Sequence, residues 1–551
     1  MMPRSLTYSP LSRLVRDLHA VHAEAERLGV SVDEGHERRA TADEARSVEG
    51  ERMTRRKFVR RAALAGAGVA TAGAWLPRPA FAATAPRIVV VGAGLAGLRT
   101  AHKLANRAHP LAATVYDADT THIGGRCWSL RGFFDNGHVA EHGGAFINHD
   151  QQAIRGLASS LGLELEVVNG GDLPKLDEIY WFDGKPYTYA EANADWGAIG
   201  FPAFRAALKQ APFPQLYNSF TDGGRQLDNT TIPDWLDQVG IGSSSRFGRL
   251  MLANAVSEYG GDPGDQSALN LVYLTAFNPR SSLDPLPGYD EKFHIVGGTD
   301  QLVTGMLGEL PAGTVKQGYE LIAVVVRNDG SYTLSFQHGN NTVDVGADHV
   351  VLALPFTALR RVDLSKSGLS SLKKRAIDEL GMGQSAKIHV QVERKTWPPL
   401  GYAGATYTDW FGFCVAWDDS VPLGPDGRPA VLVGYPGGTT AKNVLTGAAH
   451  GPAPARDVRW FLDQIEPIFP GTKAAASSGL AYEDHWSRDP WHFGAYSFWR
   501  VGQYTTFAGY EGVQEGNVHF AGEHTEPESQ GFLEGAVLSG ERAAQEIARQ
   551  L

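Results

Sequence analysis

The sequence predicts an α/β protein of two domains, a Rossmann-like dinucleotide-binding domain and a second domain of mixed sheet and helices. Three observations predict it. A short β-branched run at 87–91 is followed at once by Gly92-Ala93-Gly94-Leu95-Ala96-Gly97 and then by a helical pattern over 98–107. About twenty residues on, a second strand-like run, ATVYDAD, reaches an acid, Asp117. Third, 551 residues exceed what one ordinary core holds.

Each piece of the first unit has a physical reason. Gly92 permits the tight turn, Gly94 lets the backbone approach a pyrophosphate seated on the helix N-terminus, and Gly97 allows helix and strand to pack closely. Ala96 lies in the same turn. Asp117 is placed to accept a hydrogen bond from a ribose hydroxyl. At this point NAD and FAD are not separated.

Composition narrows the function classes. Hydrophobic residues at 43% with 20% charged residues describe a globular chain, and a net charge of −11 argues against a general nucleic-acid binder. The 64 glycines suit tight turns and close backbone approach to a ligand. The 12 tryptophans suit either an aromatic-lined pocket or ordinary core packing. The two cysteines, Cys127 and Cys414, form no Cys-X-X-Cys, so neither a zinc nor a redox dithiol motif is readable, and no metal is expected.

Gly124-Gly125-Arg126, in HIGGRCWS, follows the ribose acid by a few residues. Here the chain resembles the flavin amine oxidase family of monoamine, polyamine and L-amino-acid oxidases. The resemblance runs from residue 86 to the end, through EHGGAFIN at 141–148, FHIVGGTDQLVTGM at 293–306, VKQGYELIAVVV at 315–326, DHVVLALPF at 348–356 and VHFAGEHTEPESQGFLEGAVLSGERAAQEI at 518–547. It implies an FAD cofactor, with Gly125 and Arg126 on its phosphates and Gly144 and Ala145 near the flavin ring. It also places Leu321 on the adenine, Gly522 and Glu523 at the end of a strand beside the cofactor, and Gly531 and Phe532 at the start of a helix whose N-terminus is aimed at it.

The implied reaction is oxidative deamination. A hydride equivalent leaves the carbon beside the nitrogen for flavin N5, oxygen reoxidises the flavin to give hydrogen peroxide, and the imine hydrolyses. The cofactor carries the hard step while the protein orients and tunes. The resemblance assigns Lys387, in a strand-like run at 386–394, as the lysine that reaches flavin N5 through water. Desolvation there would depress its pKa, while a surface lysine is the alternative. Tyr496 and Phe532 align with the family's aromatic cage, which excludes water and favours the neutral amine; core packing is the alternative for both. Trp397 is expected to be structural. Where monoamine oxidases carry the flavin-linked cysteine this chain has Ala495, so FAD is expected to be non-covalent.

An L-amino-acid oxidase needs a cation for the substrate carboxylate, and a bidentate arginine is the natural solution. Phe146 stands where that arginine commonly lies, which lowers the amino-acid reading but leaves it open, with Arg205, Arg225 and Arg249 as replacements. The expected substrate is a primary or secondary amine, with an amino acid as the alternative. A dehydrogenase or desaturase that uses another electron acceptor is the third reading.

By resemblance the FAD-binding domain is discontinuous, at 86–170, 291–366 and 486–551, and the substrate domain is at 171–290 and 367–485. Within the latter, IPDWLDQVG, SSRFGRLMLANAVSEYGG and ARDVRWFLDQIEPIFPG read as helices, and GPDGRP and AAHGPAPARD as loops.

Residues 53–82 read as a twin-arginine signal peptide. Arg55-Arg56-Lys57-Phe58-Val59 precedes an apolar run at 62–76 and the small–x–small site Ala80-Phe81-Ala82. That run is short of the roughly 20 strongly apolar residues a membrane span needs. A buried Ala/Gly-rich helix is the alternative. The segment 1–52 reads as a helical or disordered leader. Export by the Tat translocase to the cell envelope or beyond is expected, as a protein already folded around its FAD; an oligomer is left open.

Overall fold

Ile88–Val91 is buried along its whole length, as a strand covered on both faces must be. It sits at the centre of a parallel five-stranded sheet ordered Val518–Phe520, His349–Leu352, Ile88–Val91, Ala113–Asp117, Val315–Gln317. Val89 pairs with Val350 on one side and Thr114 on the other. The computed structural model describes residues 85–168, 176–276, 281–283, 290–421 and 429–551. The expected leader and signal segment, and most of the expected loop at 424–429, lie outside the described residues.

The helix after the glycine turn is Leu95–Ala105. It begins three residues earlier than the pattern suggests, so Gly97 lies inside it. A Cβ on Gly97 would fall 2.0 Å from the Gly92 carbonyl oxygen. That residue holds helix against strand and does not line the cavity described below. The C-terminal helix Leu533–Gln550 lies against the same helix, close enough that a Cβ on Gly540 would meet the Ala96 carbonyl at 2.5 Å. The strand expected over 315–326 is two strands, Val315–Gln317 and Glu320–Val326. Gly318, at φ +79°, turns the chain between them, so that the second leaves the parallel sheet and pairs antiparallel with Tyr332–His338.

The second sheet has six strands, ordered Thr406–Tyr407, Val415–Asp418, Ala430–Tyr435, Ala386–Val392, Ala476–His485, His450–Pro452. Expected to be mixed, it pairs antiparallel throughout. The stretch expected as a loop at 448–457 holds its edge strand, His450–Pro452, and the start of the helix Ala455–Ile465. Pro452 is tolerated because an edge strand has no partner on its outer side. Helices Ile232–Gln238 and Arg246–Tyr259 cover the other flank, the second ended by Gly260 at φ +63°. These helices share one core with the parallel sheet, where Val89, Val91 and Tyr116 pack in a cluster with Trp196, Phe247 and Val272.

Candidate active site

One cavity of about 700 Å³ opens at the C-terminal ends of the parallel strands and continues between the two sheets. Of the residues singled out in the sequence, Gly92, Gly94, Ala96, Asp117, Gly125, Arg126, Gly144, Ala145, Leu321, Lys387, Tyr496, Gly522, Glu523, Gly531 and Phe532 all line it.

Its first end is built from backbone. Asp117 closes the glycine turn, its carboxylate accepting from the Ala93 N–H at 2.5 Å and the Asp119 N–H at 2.8 Å. An ionised carboxylate can accept about four hydrogen bonds, which leaves capacity for a hydroxyl. The glycine pair at 124–125 abuts this turn: Gly124 donates to the Ala93 carbonyl at 3.1 Å, and a Cβ on Gly125 would stand 3.3 Å from Gly94 Cα and from His492 Nε2. Side chains would fill the floor that these glycines leave open.

Arg126 pairs with Glu523 at 2.9 Å. Glu523 also accepts from the Ser497 hydroxyl at 2.6 Å and the Gly531 N–H at 2.9 Å. Burial alone would raise the Glu523 pKa, but the Arg126 charge and these hydrogen bonds win and hold it below its usual range. Glu523 therefore organises the cavity wall and orients Arg126, whose guanidinium has donors to spare.

The polar groups left without partners test whether a flavin dinucleotide fits. Both ring nitrogens of His524, Nε2 of His122 and Nε2 of Gln530 are buried and have no hydrogen-bond partner among the described residues, and all three residues line this cavity. Burial holds the His524 pKa down at about 4, so its ring stays neutral. Unpartnered ring and amide nitrogens, a glycine cradle, the Asp117 carboxylate and an arginine fit FAD.

Lys387 lies on the strand Ala386–Val392, which is buried on both faces rather than one. Its Nζ donates to the Glu141 carbonyl at 2.9 Å and the Gly143 carbonyl at 2.7 Å. Burial lowers its pKa against the opposing pull of Asp419, Glu141, Asp484 and Glu291. The Nζ is 5.8 Å from the Trp417 ring centroid.

Trp417 begins an aromatic wall. Its ring meets Phe146 edge-on at 5.9 Å and Tyr435 at 5.7 Å. The Tyr435 hydroxyl lies 3.5 Å from that of Tyr496, which donates to the Ser257 carbonyl at 2.5 Å. A Cβ on Gly531 would touch the Tyr496 ring at 3.3 Å, so Tyr496 flanks the turn that carries Phe532. The wall is thus four rings along the cavity; the sequence singled out Tyr496 as a ring of the cage and Phe146 only as the residue in place of an arginine, and Trp417 and Tyr435 not at all. Trp397, as expected, is buried away from the cavity, its indole N–H donating to Asp418 at 3.1 Å.

The far end holds three carboxylates that the sequence did not single out, Glu178, Glu258 and Glu291. Burial raises Glu178, to which the Tyr180 hydroxyl donates at 2.9 Å. Burial and mutual repulsion push Glu258 up to about 8 and Glu291 up to about 7. Glu291 keeps accessible area while protein encloses it, and the enclosure decides its ionisation. It adopts φ +42°, a region costly for a side-chain-bearing residue, with its N–H bound by Asn148 Oδ1 at 2.8 Å.

None of the candidate carboxylate-binding arginines lines the cavity. Arg205 and Arg225 are exposed, Arg225 over the Phe220 ring, and Arg249 pairs with Asp409 at 2.7 Å. Cys127 and Cys414 are buried and free, their thiols donating to the carbonyls of Thr299 and Ala253.

Comparison with known proteins places this geometry. A family model described as flavin containing amine oxidoreductase matches residues 95–548. Amine oxidase [flavin-containing] A of Bos taurus is 24% identical over 84% of this chain and 85% of its own length. Nicotine dehydrogenase of Pseudomonas putida is 25% identical over 93% of this chain and 100% of its own. Among solved structures, cyclohexylamine oxidase from Brevibacterium oxydans IH-35A superposes with a TM-score of 0.71 at 21% identity, covering 84% of this chain and 99% of that one.

Proposed function

The chain belongs to the flavin containing amine oxidoreductase family and is an FAD-dependent amine oxidase; from that premise we propose that its substrate is an amine without a carboxylate. The carrying observation is the charge of the substrate end, three carboxylates and, among the described residues, no arginine at the far side of the aromatic wall.

Held without a covalent link by the 92–97 and 124–125 glycine turns, Asp117 and Arg126, FAD would supply an acceptor for a hydride equivalent from the carbon beside the nitrogen and a route for the electrons to oxygen, with an imine and hydrogen peroxide as products. The protein's part follows from its side chains. Glu178, Glu258 and Glu291 attract an ammonium and repel a carboxylate. Glu258 and Glu291 sit near neutrality, the range in which a group takes up a proton at working pH. They hold the proton that the amine sheds as it enters the aromatic wall, where Tyr435 and Tyr496 exclude water. Lys387, desolvated and fixed by two carbonyls, faces the reacting end. The wall of four rings suits an aromatic or bulky amine.

Anaerobic bleaching of the flavin by a panel of amines and amino acids, followed by admission of air, tests the reading. Amines should bleach the flavin and amino acids should not, and air should restore the colour with release of peroxide. Faster bleaching by an amino acid than by its decarboxylated counterpart would overturn it. A dehydrogenase is the second reading, favoured by the similarity to nicotine dehydrogenase, and slow recovery in air would promote it.

The arginine pair at 55–56 and the small-residue site at 80–82 support export through the Tat translocase. That route carries folded proteins, which agrees with a cofactor loaded before export. Mass spectrometry of the secreted protein should find Ala83 at its N-terminus; a secreted chain starting at Met1 would refute this.

A further inference from the structure

Behind Lys387 lies a buried histidine–carboxylate network whose central members, His142, His450, Asp484 and Asp489, do not line the cavity. Asp484 is fully buried, and its Oδ1 meets His142 Nδ1 at 2.6 Å and His450 Nδ1 at 2.7 Å. His450 Nε2 reaches Asp489 Oδ2 at 3.1 Å, and the other oxygen of Asp489 meets His492 Nδ1 at 2.6 Å. Trp128 stacks on His142 at 3.9 Å and meets His450 edge-on at 4.9 Å. Burial opposes the charge on Asp484, yet His142, His389 and His450 hold its carboxylate well below the usual range. The contacting atoms of His142, His450 and Asp484 stand at hydrogen-bond length, shorter than the roughly 3.3 Å between ligands of a tetrahedral zinc ion. They therefore form a hydrogen-bonded hub.

The hub touches both sides of the lysine's setting. Asp484 is the cross-strand partner of Lys387 in the antiparallel sheet. The two carbonyls that hold Lys387 Nζ belong to Glu141 and Gly143, and the residue between them is His142. The His142 side chain is pinned by Asp484, and its carbonyl accepts from the Trp486 indole at 3.1 Å. One carboxylate thus ties the strand that carries the amine to the segment that carries its acceptors. At its far end the network fixes His492, which lies against Gly125.

We propose that Asp484 is a positioning residue for Lys387, setting the place of its amine through His142 and His450. This rests on the reading that Lys387 faces the flavin. A lysine held by two carbonyls on a short segment is only as well placed as that segment, and the hub is what keeps it from sliding along the strand.

A double-mutant cycle tests it. The full chain is prepared as wild type, Asp484→Asn, Lys387→Met and the double variant. Each is measured for FAD content, for the midpoint potential of the bound flavin and for the rate of flavin reoxidation by oxygen. Asp484→Asn should retain FAD, slow reoxidation on the order of tenfold, and move the potential in the direction that Lys387→Met moves it. In the Lys387→Met background it should change neither quantity by more than about twofold. Equal slowing in both backgrounds, or a loss of melting temperature with potential and reoxidation unchanged, would overturn the proposal. If Lys387→Met alone leaves both readouts at the wild-type value, the reading of Lys387 falls and this inference with it. Should Asp484→Asn not fold, His450→Gln taken through the same cycle decides by the same criteria, with a smaller effect in the same direction.

Discussion

The two ends of the cavity are made of different material. The cofactor end is mostly backbone: two glycine turns pressed together, an acid that closes one of them, and a helix N-terminus. The substrate end is all side chain. Its rings and carboxylates come from Phe146, Glu178, Glu258, Glu291, Trp417, Tyr435 and Tyr496, on segments far apart in the chain. A dinucleotide is gripped by local geometry that few residue types allow, whereas a small amine is surrounded by groups that only the tertiary fold brings together. The first end should be brittle to small changes, and the second should tune gradually.

The largest expected effect breaks the brittle end. Gly97→Ala puts a Cβ 2.0 Å from the Gly92 carbonyl, and neither helix nor strand can yield without opening the turn. We expect loss of bound FAD, read as an absence of flavin absorbance in the purified protein. Next is Lys387→Met, which removes a buried charge at the seam between the ends. FAD should remain bound while reoxidation by oxygen slows on the order of 10²-fold, the scale seen when a single preorganised electrostatic group is removed. Stopped-flow mixing of the reduced enzyme with oxygen measures it.

That contrast also explains what the sequence disclosed. The strand–turn–helix and Asp117 were legible because each is a local pattern with a local cause, and the 124–125 glycine pair through the family resemblance. Lys387 was legible through the family resemblance, not through its surroundings. The 448–457 stretch was misread as a loop because Gly451 and Pro452 punctuate it, although an edge strand tolerates both, and with it went His450, one arm of the hub on Asp484. Gly318 broke an expected strand because a residue at positive φ cannot continue one. Glu258 and Glu291 had no signal at all: one is the penultimate residue of a helix, the other a residue at φ +42°, and only the fold turns both into the cavity.

At the tunable end Glu258→Gln should leave FAD bound and, above pH 8 where Glu258 is ionised, raise KM for amines about three- to tenfold, as one nearby charge lost in a partly screened site would. kcat should change less. A fall in FAD content instead would mean that the two ends are not separable.

The smallest expected effect is the dependence on pH, and it separates charge attraction from loosening of the structure. Glu291 titrates at about 7 and Glu258 at about 8, both raised by burial from 4.5. An alkylamine keeps its charge over this range, so KM should fall severalfold between pH 6 and 8.5 as the carboxylates ionise. Stability should move against this. An unfolded chain ionises these groups near 4.5, and the folded chain retains their protons up to about 7 and 8. The folded state therefore binds more protons across that interval, and its stability declines as pH rises through it. Thermal melting of the substrate-free enzyme should show the decline, and Glu258→Gln should flatten its upper part along with the upper part of the KM curve. Tighter amine binding in a less stable protein is the signature of repelling carboxylates waiting for a cation. A KM that rises together with the loss of stability would show that the far end binds by shape alone.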